Sequence, residues 1–339
     1  MLWRLIVMNQ KGQANTTGDV AVRGLRILIK DQRIILLVLI VLIAIIVGII
    51  NPRFLDIRNI ITILQQISVL GVITLGFAML MLSGGLDLSV GSIMTLSGCT
   101  IASMVYNNPD HLPTVLLAVL VGIAISVACG ALNGLIIAKS RCIPLIISLG
   151  MSGIYLGITL LTSGGNYMTF SLAFEPLRAV RIAGIVPINT IVFLLVVVIS
   201  YILVNRMKFG RRIVAIGGNE LNARLSGINV DAYKIVTYAI CGLCCGIASI
   251  LYASRLDSIT AGAGSGFELN ALTACIIGGV TFDGGKGTIL GAFLGVVFMG
   301  LVTNAMNVLG IASSMQYVVS GVIVVTAVII SNINNIRNA

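Results

Sequence analysis

Charge is what this sequence has least of. Asp, Glu, Lys and Arg make up 9% of its 339 residues, against about 25% in a soluble domain whose surface must face water. With 58% hydrophobic residues and a mean hydropathy of +1.10, too little polar material remains to cover a water-facing globule, so a soluble fold is excluded. Histidine is almost missing. His111 alone leaves nothing for a His-rich metal site and argues against a Ser-His-Asp arrangement. The seven cysteines, Cys99, Cys129, Cys142, Cys241, Cys244, Cys245 and Cys275, fall mostly inside apolar runs, where thiols behave as small hydrophobes. Cys241, Cys244 and Cys245 resemble half of a zinc site, but no second pair or His follows at ligand spacing. No small-residue cleavage site follows the first apolar run, 34–50, so a retained helix is expected there.

What the chain does have is long apolar runs. A helix needs about 20 apolar residues to cross a bilayer core, with about 17 tolerated. Runs of that kind fall at 34–50, 60–82, 89–106, 114–138, 143–163, 186–204, 234–253, 268–282, 288–307 and 314–331. The expected fold is an all-α membrane protein, a polytopic bundle of about ten transmembrane helices. A single membrane domain covers 1–339, with 1–33 as a cytoplasmic N-terminal segment. The third run opens on Asp87-Leu88-Ser89 and the eighth is short and glycine-rich. Either is expected to be broken or re-entrant, which is tolerated only where protein or a wet cavity shields the backbone. Glycine is plentiful, 38 residues in all. Pairs such as Gly242 and Gly246, or Gly291 and Gly295, are spaced for close helix contacts.

The net charge of +10 does not point to nucleic acid, because the basic residues sit in short clusters between apolar runs. With the N-terminus inside, sixteen of the 21 Lys and Arg fall on the inner side and five, Arg53, Arg58, Arg178, Arg181 and Arg255, on the outer. The positive-inside rule then puts both termini in the cytoplasm. The largest inner loop, 205–233, is polar and basic. Asn219 is placed to cap a short helix over 221–226, and Gly227 to end it.

Ionisable groups at membrane depth are functional candidates by default. Asp87, Glu268 and Asp283 lie near expected helix ends, so two readings stand: functional groups, or caps at the interface. Gln65, Gln66, Asn133 and Asn304 lie deeper. They either line a path for a hydroxylated solute or bond neighbouring helices. Gly284-Gly285-Lys286-Gly287-Thr288 lacks the phosphate-loop spacing, and Gly262-Ala263-Gly264-Ser265-Gly266 lacks a Rossmann context. The segments beginning at Asp87 and Asp283 share Asp, Gly, a small hydroxyl and Ile at matching positions, a hint of an internal repeat.

Three motifs in order resemble a known family. Ser83-Gly84-Gly85-Leu86-Asp87-Leu88-Ser89-Val90-Gly91-Ser92 is similar to the Gly-Gly-Ile-Asp-Leu-Ser-x-Gly signature of ribose-type sugar permeases of ABC importers, with Leu86 where Ile is usual. Phe209-Gly210-Arg211, then Ala215-Ile216-Gly217-Gly218-Asn219 and the stretch 223–228, resemble that family's cytoplasmic loop. Gly278-Gly279, then Gly284-Gly285-Lys286-Gly287, then 304–310, resemble its C-terminal helices. The resemblance runs over about 34–331. It implies a pore of two permeases, identical or paralogous, in a prokaryotic cytoplasmic membrane. Two cytoplasmic ATPase subunits drive it, and an external sugar-binding protein delivers a monosaccharide or related polyol. No cofactor is expected in this chain, since ATP and Mg belong to the ATPase, and no catalytic or metal site.

By the same resemblance, ATPase coupling falls to Arg212, Gly217, Asn219, Ala223, Arg224 and Gly227. The translocation path falls to Asp87, Ser89, Asn133 and Asn304, and binding-protein docking to Arg53, Arg178, Arg181 and Arg255. The rival reading is an ion-coupled secondary transporter of a small polar solute. It wants buried carboxylates near the midplane, and it leaves the large basic loop without a purpose.

Overall fold

The computed structural model describes residues 32–182, 184 and 186–338. The N-terminal segment expected to be cytoplasmic lies almost entirely outside the described residues. Among the described residues the chain is all-α apart from two short strand pairs. The helices are α1 (Gln32–Ile50), α2 (Ile57–Leu82), α3 (Val90–Val105), α4 (Leu112–Ser140), α5 (Pro144–Ser163), α6 (Glu175–Ala179), α7 (Ile188–Asn205), α8 (Lys208–Gly218), α9 (Glu220–Leu225), α10 (Val230–Leu256), α11 (Phe267–Ile277), α12 (Ile289–Val308) and α13 (Ser313–Asn338). Seven of them, α1, α2, α4, α5, α7, α10 and α12, are long and apolar enough to cross a membrane. Three more apolar helices are shorter: α3, α11 and the 314–329 stretch of α13. Every apolar run of the sequence is thus a helix, and the two expected to be irregular, α3 and α11, are short.

Solvent-facing and protein-facing helices separate cleanly. In α2 every residue from 67 to 82 is buried, which makes it the central post of the bundle. In α1 a row of Ile, Leu and Val, including Val38, Val41 and Ile45, is more than half exposed; in a bilayer that row meets lipid. Helix α10 lies against α4 through contacts only glycine allows. A Cβ on Gly242 would come within 2.2 Å of the Ser126 carbonyl oxygen, and one on Gly130 within 2.3 Å of the Tyr238 carbonyl oxygen. The expected Gly291 and Gly295 contacts are there as well, against the carbonyls of Gly278 and Ala274.

Contacts between helices sort their ends into two sets. At one end the last residue of α2, Leu82, meets α8 and the 278–288 turn, and Arg33 of α1 donates to Thr288 at 3.2 Å. Arg206, Lys208, Arg211, Arg212, Arg224 and Lys234 gather at this basic end. At the opposite end Asn51 donates to the Val308 carbonyl at 3.1 Å. There, too, β1 (Met168–Thr169) pairs antiparallel with β4 (Ser258–Ile259). A second pair, β2 (Arg181–Ile182) with β3 (Val186–Pro187), precedes α7.

Neither α3 nor α11 runs from one end to the other. From Ile259, whose side chain sits on Gly98 in mid-α3, the chain returns into the bundle until the Gly264 carbonyl meets Gly91, in the first turn of α3. Only then does α11 begin. Eleven residues give a rise of roughly 16 Å, about half of a 30 Å hydrocarbon core.

The α4–α10 seam generates a prediction. Gly242→Val is expected to lower stability by about 1–3 kcal/mol through overpacking. Thermal melts of the detergent-solubilised protein followed by circular dichroism check it; an unchanged midpoint would mean the seam is not tight.

Candidate functional site

The segment 83–89 joins α2 to α3 and holds a carboxylate wholly inside the protein: Asp87 is 0% exposed. Its Oδ1 accepts from the Ser89 amide at 2.8 Å and from Ser89 Oγ at 2.5 Å. Its Oδ2 accepts from Asn133 Nδ2 of α4 at 3.1 Å, and the same amide group lies 2.8 Å from Ser89 Oγ. Tyr155 of α5 turns its hydroxyl to Asn133 Oδ1 at 2.9 Å and to the Cys129 carbonyl at 3.0 Å. Tyr238 of α10 donates to the Leu86 carbonyl at 2.8 Å. The turn is therefore tied to α4, α5 and α10 by a satisfied polar network, and such networks fix one arrangement because a lost partner is expensive in a low dielectric.

Of the four residues expected along a path, the structure brings Asp87, Ser89 and Asn133 into one cluster. Asn304 does not join them. It forms a reciprocal amide pair with Asn59, both bonds 3.0 Å, toward the opposite end. Tyr155 and Tyr238 were missed, although a phenol inside an apolar span signals a buried partner for its hydroxyl.

The basic end carries a second assembly. The polar loop contains two helices rather than one: α8, which buries Gly210, Ile213 and Ile216, and α9. Asn219 caps α9, its side chain accepting from the Asn222 amide at 2.9 Å, and Gly227 follows with φ +79°, as expected. Ala223 is buried with Ile216 and Val230. Arg224 pairs with both Glu220, at 3.0 Å, and Asp231, while Lys234 pairs with Glu220 at 2.7 Å. These pairs pin α9 to the first turns of α10. Arg212 donates to the Tyr233 hydroxyl and lies over its ring, 5.5 Å from the centroid. Burial works against the Glu220 charge, but the bonds from Lys234 and Arg224 outweigh it and hold its carboxyl below the usual range.

Gly217 faces inward. A Cβ there would meet the Leu82 carbonyl oxygen at 2.1 Å and the Gly285 amide at 2.6 Å, and one on Gly284 would meet Gly84 Cα at 2.8 Å and Gly217 Cα at 3.1 Å. The Gly285 amide donates to the Leu82 carbonyl at 3.1 Å. Three backbones, the end of α8, the start of the Asp87 turn and the turn before α12, are clasped with no side chain between them. The two Asp-containing segments of the possible repeat do meet here, but Asp87 is buried and Asp283 exposed, so they share no role. Beside Asn222, α9 leaves two leucines bare. Leu221 and Leu225, one turn apart, are 66% and 79% exposed.

Residues 59–328 match the family model described as the permease component of branched-chain amino acid transport systems. This chain belongs to that family. The permease is 37% identical over 292 residues to the ribose import permease protein of Bacillus subtilis, covering 85% of this chain and 89% of that one. It is 38% identical over 283 residues to the D-allose transport system permease protein of Escherichia coli (83% and 86%). With the galactose/methyl galactoside import permease protein of Escherichia coli it shares 34% over 323 residues (89% and 94%). No solved structure matches it.

The four arginines assigned to docking all lie in segments at the permease's opposite end. Arg53 sits in the short 3-10 helix Pro52–Leu55, Arg178 in α6 and Arg181 in β2, all exposed. Arg255 is half-buried in the last turn of α10. Arg178 is engaged with Glu175 at 2.7 Å.

The ion pairs on α9 set an expected pH response. A carboxyl held low in the folded state stabilises the attachment above its unfolded value, and that contribution is lost as pH falls through the folded value. The protection factors of the amides over 220–225, corrected for the intrinsic rate at each pH, should therefore fall at acid pH and, at neutral pH, in Arg224→Ala, with those in α2 and α4 unchanged. Equal protection in the variant would show that α9 is held by packing alone.

Proposed function

We propose that this chain is the membrane-spanning permease subunit of an ATP-binding-cassette importer that carries a monosaccharide or related polyol. The named activities of its relatives, ribose, allose and galactose import, support the substrate class. The basic end is the cytoplasmic end by the positive-inside rule, which puts both termini inside. Two copies, or this chain with a paralogue, form the pore. ATP and Mg are bound by separate cytoplasmic ATPase subunits and not by this chain. A sugar-binding protein docks on the outer end, where Arg53, Arg178, Arg181 and Arg255 steer its approach more than they hold it.

One observation carries the reading. The exposed Leu221 and Leu225 sit on a helix whose other side is ion-paired to α10 and whose leading glycine is clasped to the Asp87 turn. Such a helix seats its apolar face in a groove on the ATPase. Movement of that groove then reaches 83–89 without a flexible link. In this reading Gly217, Asn219, Ala223, Arg224 and Gly227 shape and hold the coupling helix, and Arg212 braces it through Tyr233. Asp87, Ser89 and Asn133 form the gate on which its motion acts, and Asn304 lies on the outer half of the path. ATP can bias the pore only if the ATPase grips this helix differently in two states.

Co-purification of the assembled complex, followed by uptake of labelled ribose, allose and galactose into proteoliposomes, tests the function. Uptake that needs internal ATP and the binding protein is expected; accumulation with no ATPase bound would overturn it. Two variants locate the coupling. Gly217→Arg should abolish uptake while the protein still inserts in the membrane. Leu221→Asp combined with Leu225→Asp should release the ATPase in pull-downs without changing the permease's melting.

A further inference from the structure

Glu268 lies in the first turn of α11, the helix that begins inside the bundle. Its Oε1 accepts from the Gly266 amide at 3.1 Å. Its Oε2 lies over the first turn of α3, where a Cβ on Gly91 would come within 2.8 Å of it. Among the described residues it forms no ion pair, and Oε2 accepts no hydrogen bond. It is nevertheless half-exposed. With α11 ending at the cytoplasmic end, its first turn stands roughly 16 Å deep, well inside the hydrocarbon layer. A carboxylate with a bare oxygen at that depth does not face lipid tails; charged groups in spans face a bundle interior or a water-filled cavity.

Tyr317 of α13 is 68% exposed, and its ring edge lies 3.8 Å from where a Cβ of Gly266 would stand. A carboxylate with a free acceptor oxygen beside a flat ring edge suits a polyhydroxylated solute.

We infer that Glu268, with Tyr317 beside Gly266, forms a transient sugar-binding station on the permease's translocation path, at the meeting of the two interrupted helices. The inference rests on the proposed import function for its substrate, but the water-facing position of Glu268 stands without it. Asp87 is buried and saturated, so it holds the turn, whereas Glu268 offers a free acceptor to the solute.

Two measurements test this. In native membranes containing the complex, a water-soluble carbodiimide should modify Glu268, as read by peptide mass spectrometry. Modification only by lipid-soluble dicyclohexylcarbodiimide would overturn the inference. In proteoliposomes of the whole complex, Glu268→Gln, which preserves size and the bond to the Gly266 amide, should reduce sugar uptake by roughly tenfold or more. ATP hydrolysis stimulated by the binding protein should remain. Wild-type uptake by this variant would equally overturn the inference. If the wild-type complex carries none of ribose, allose or galactose, the proposed substrate class fails and the labelling pattern alone decides the station. It also decides if Glu268→Gln fails to reach the membrane.

Discussion

A backbone amide or carbonyl inside hydrocarbon must find a partner within the protein, and the interruption of two helices at depth puts this permease under that constraint twice. Segment 83–89 and the stretch ahead of α11 are turns and irregular backbone where a membrane helix would be self-sufficient. Both are enclosed: the first by Asn133, Tyr238 and the α8 end, the second by the first turn of α3. Enclosure at this closeness needs backbones to touch, and the glycines at 84, 91, 217, 264 and 284 remove the side chains that would prevent it. Interrupted helices, glycine clasp and buried Asp87 network are consequences of one requirement.

That requirement also explains why α8 and α9, at the basic end, are joined to the core. A clasp of three backbones has little freedom to slide, because each atom is within contact of another that belongs to a different helix. Packed interiors shift between discrete arrangements instead of deforming smoothly. Contacts run from α9 through α8 to Gly84 and through the Arg224 pairs to α10, whose Tyr238 bonds the Leu86 carbonyl, so both lines of contact reach the 83–89 turn. The ion pairs are partly exposed and individually weak. The glycine contact joins backbone to backbone with no side chain between, so it is the stiffer of the two links.

The two ends of the permease are built differently. The end opposite the basic one is stitched by the Asn59–Asn304 amide pair and short strand pairs such as β1 with β4. The basic end is stitched by glycine and charge. The Asn59–Asn304 pair exchanges its two hydrogen bonds within itself. The interrupted helices and the partly exposed Glu268 lie between these two constructions.

Much was legible in the residues alone, because hydropathy and capping are local. Scarce charge and repeated apolar runs dictate a helical membrane bundle, the clustering of Lys and Arg assigns its ends, and Asn219 with Gly227 delimits α9. The Asp87-Leu88-Ser89 opening and the glycine-rich run after Glu268 marked the two irregular helices. Sequence did not reveal α8, whose apolar side is spread over Ile213 and Ile216 within a basic stretch. It did not separate Asn304 from Asn133, since two buried amides look alike until their partners are known. Whether Asp87 or Glu268 keeps a free oxygen was likewise invisible. That depends on which backbones and hydroxyls arrive from four other helices, and only the tertiary structure brings them there.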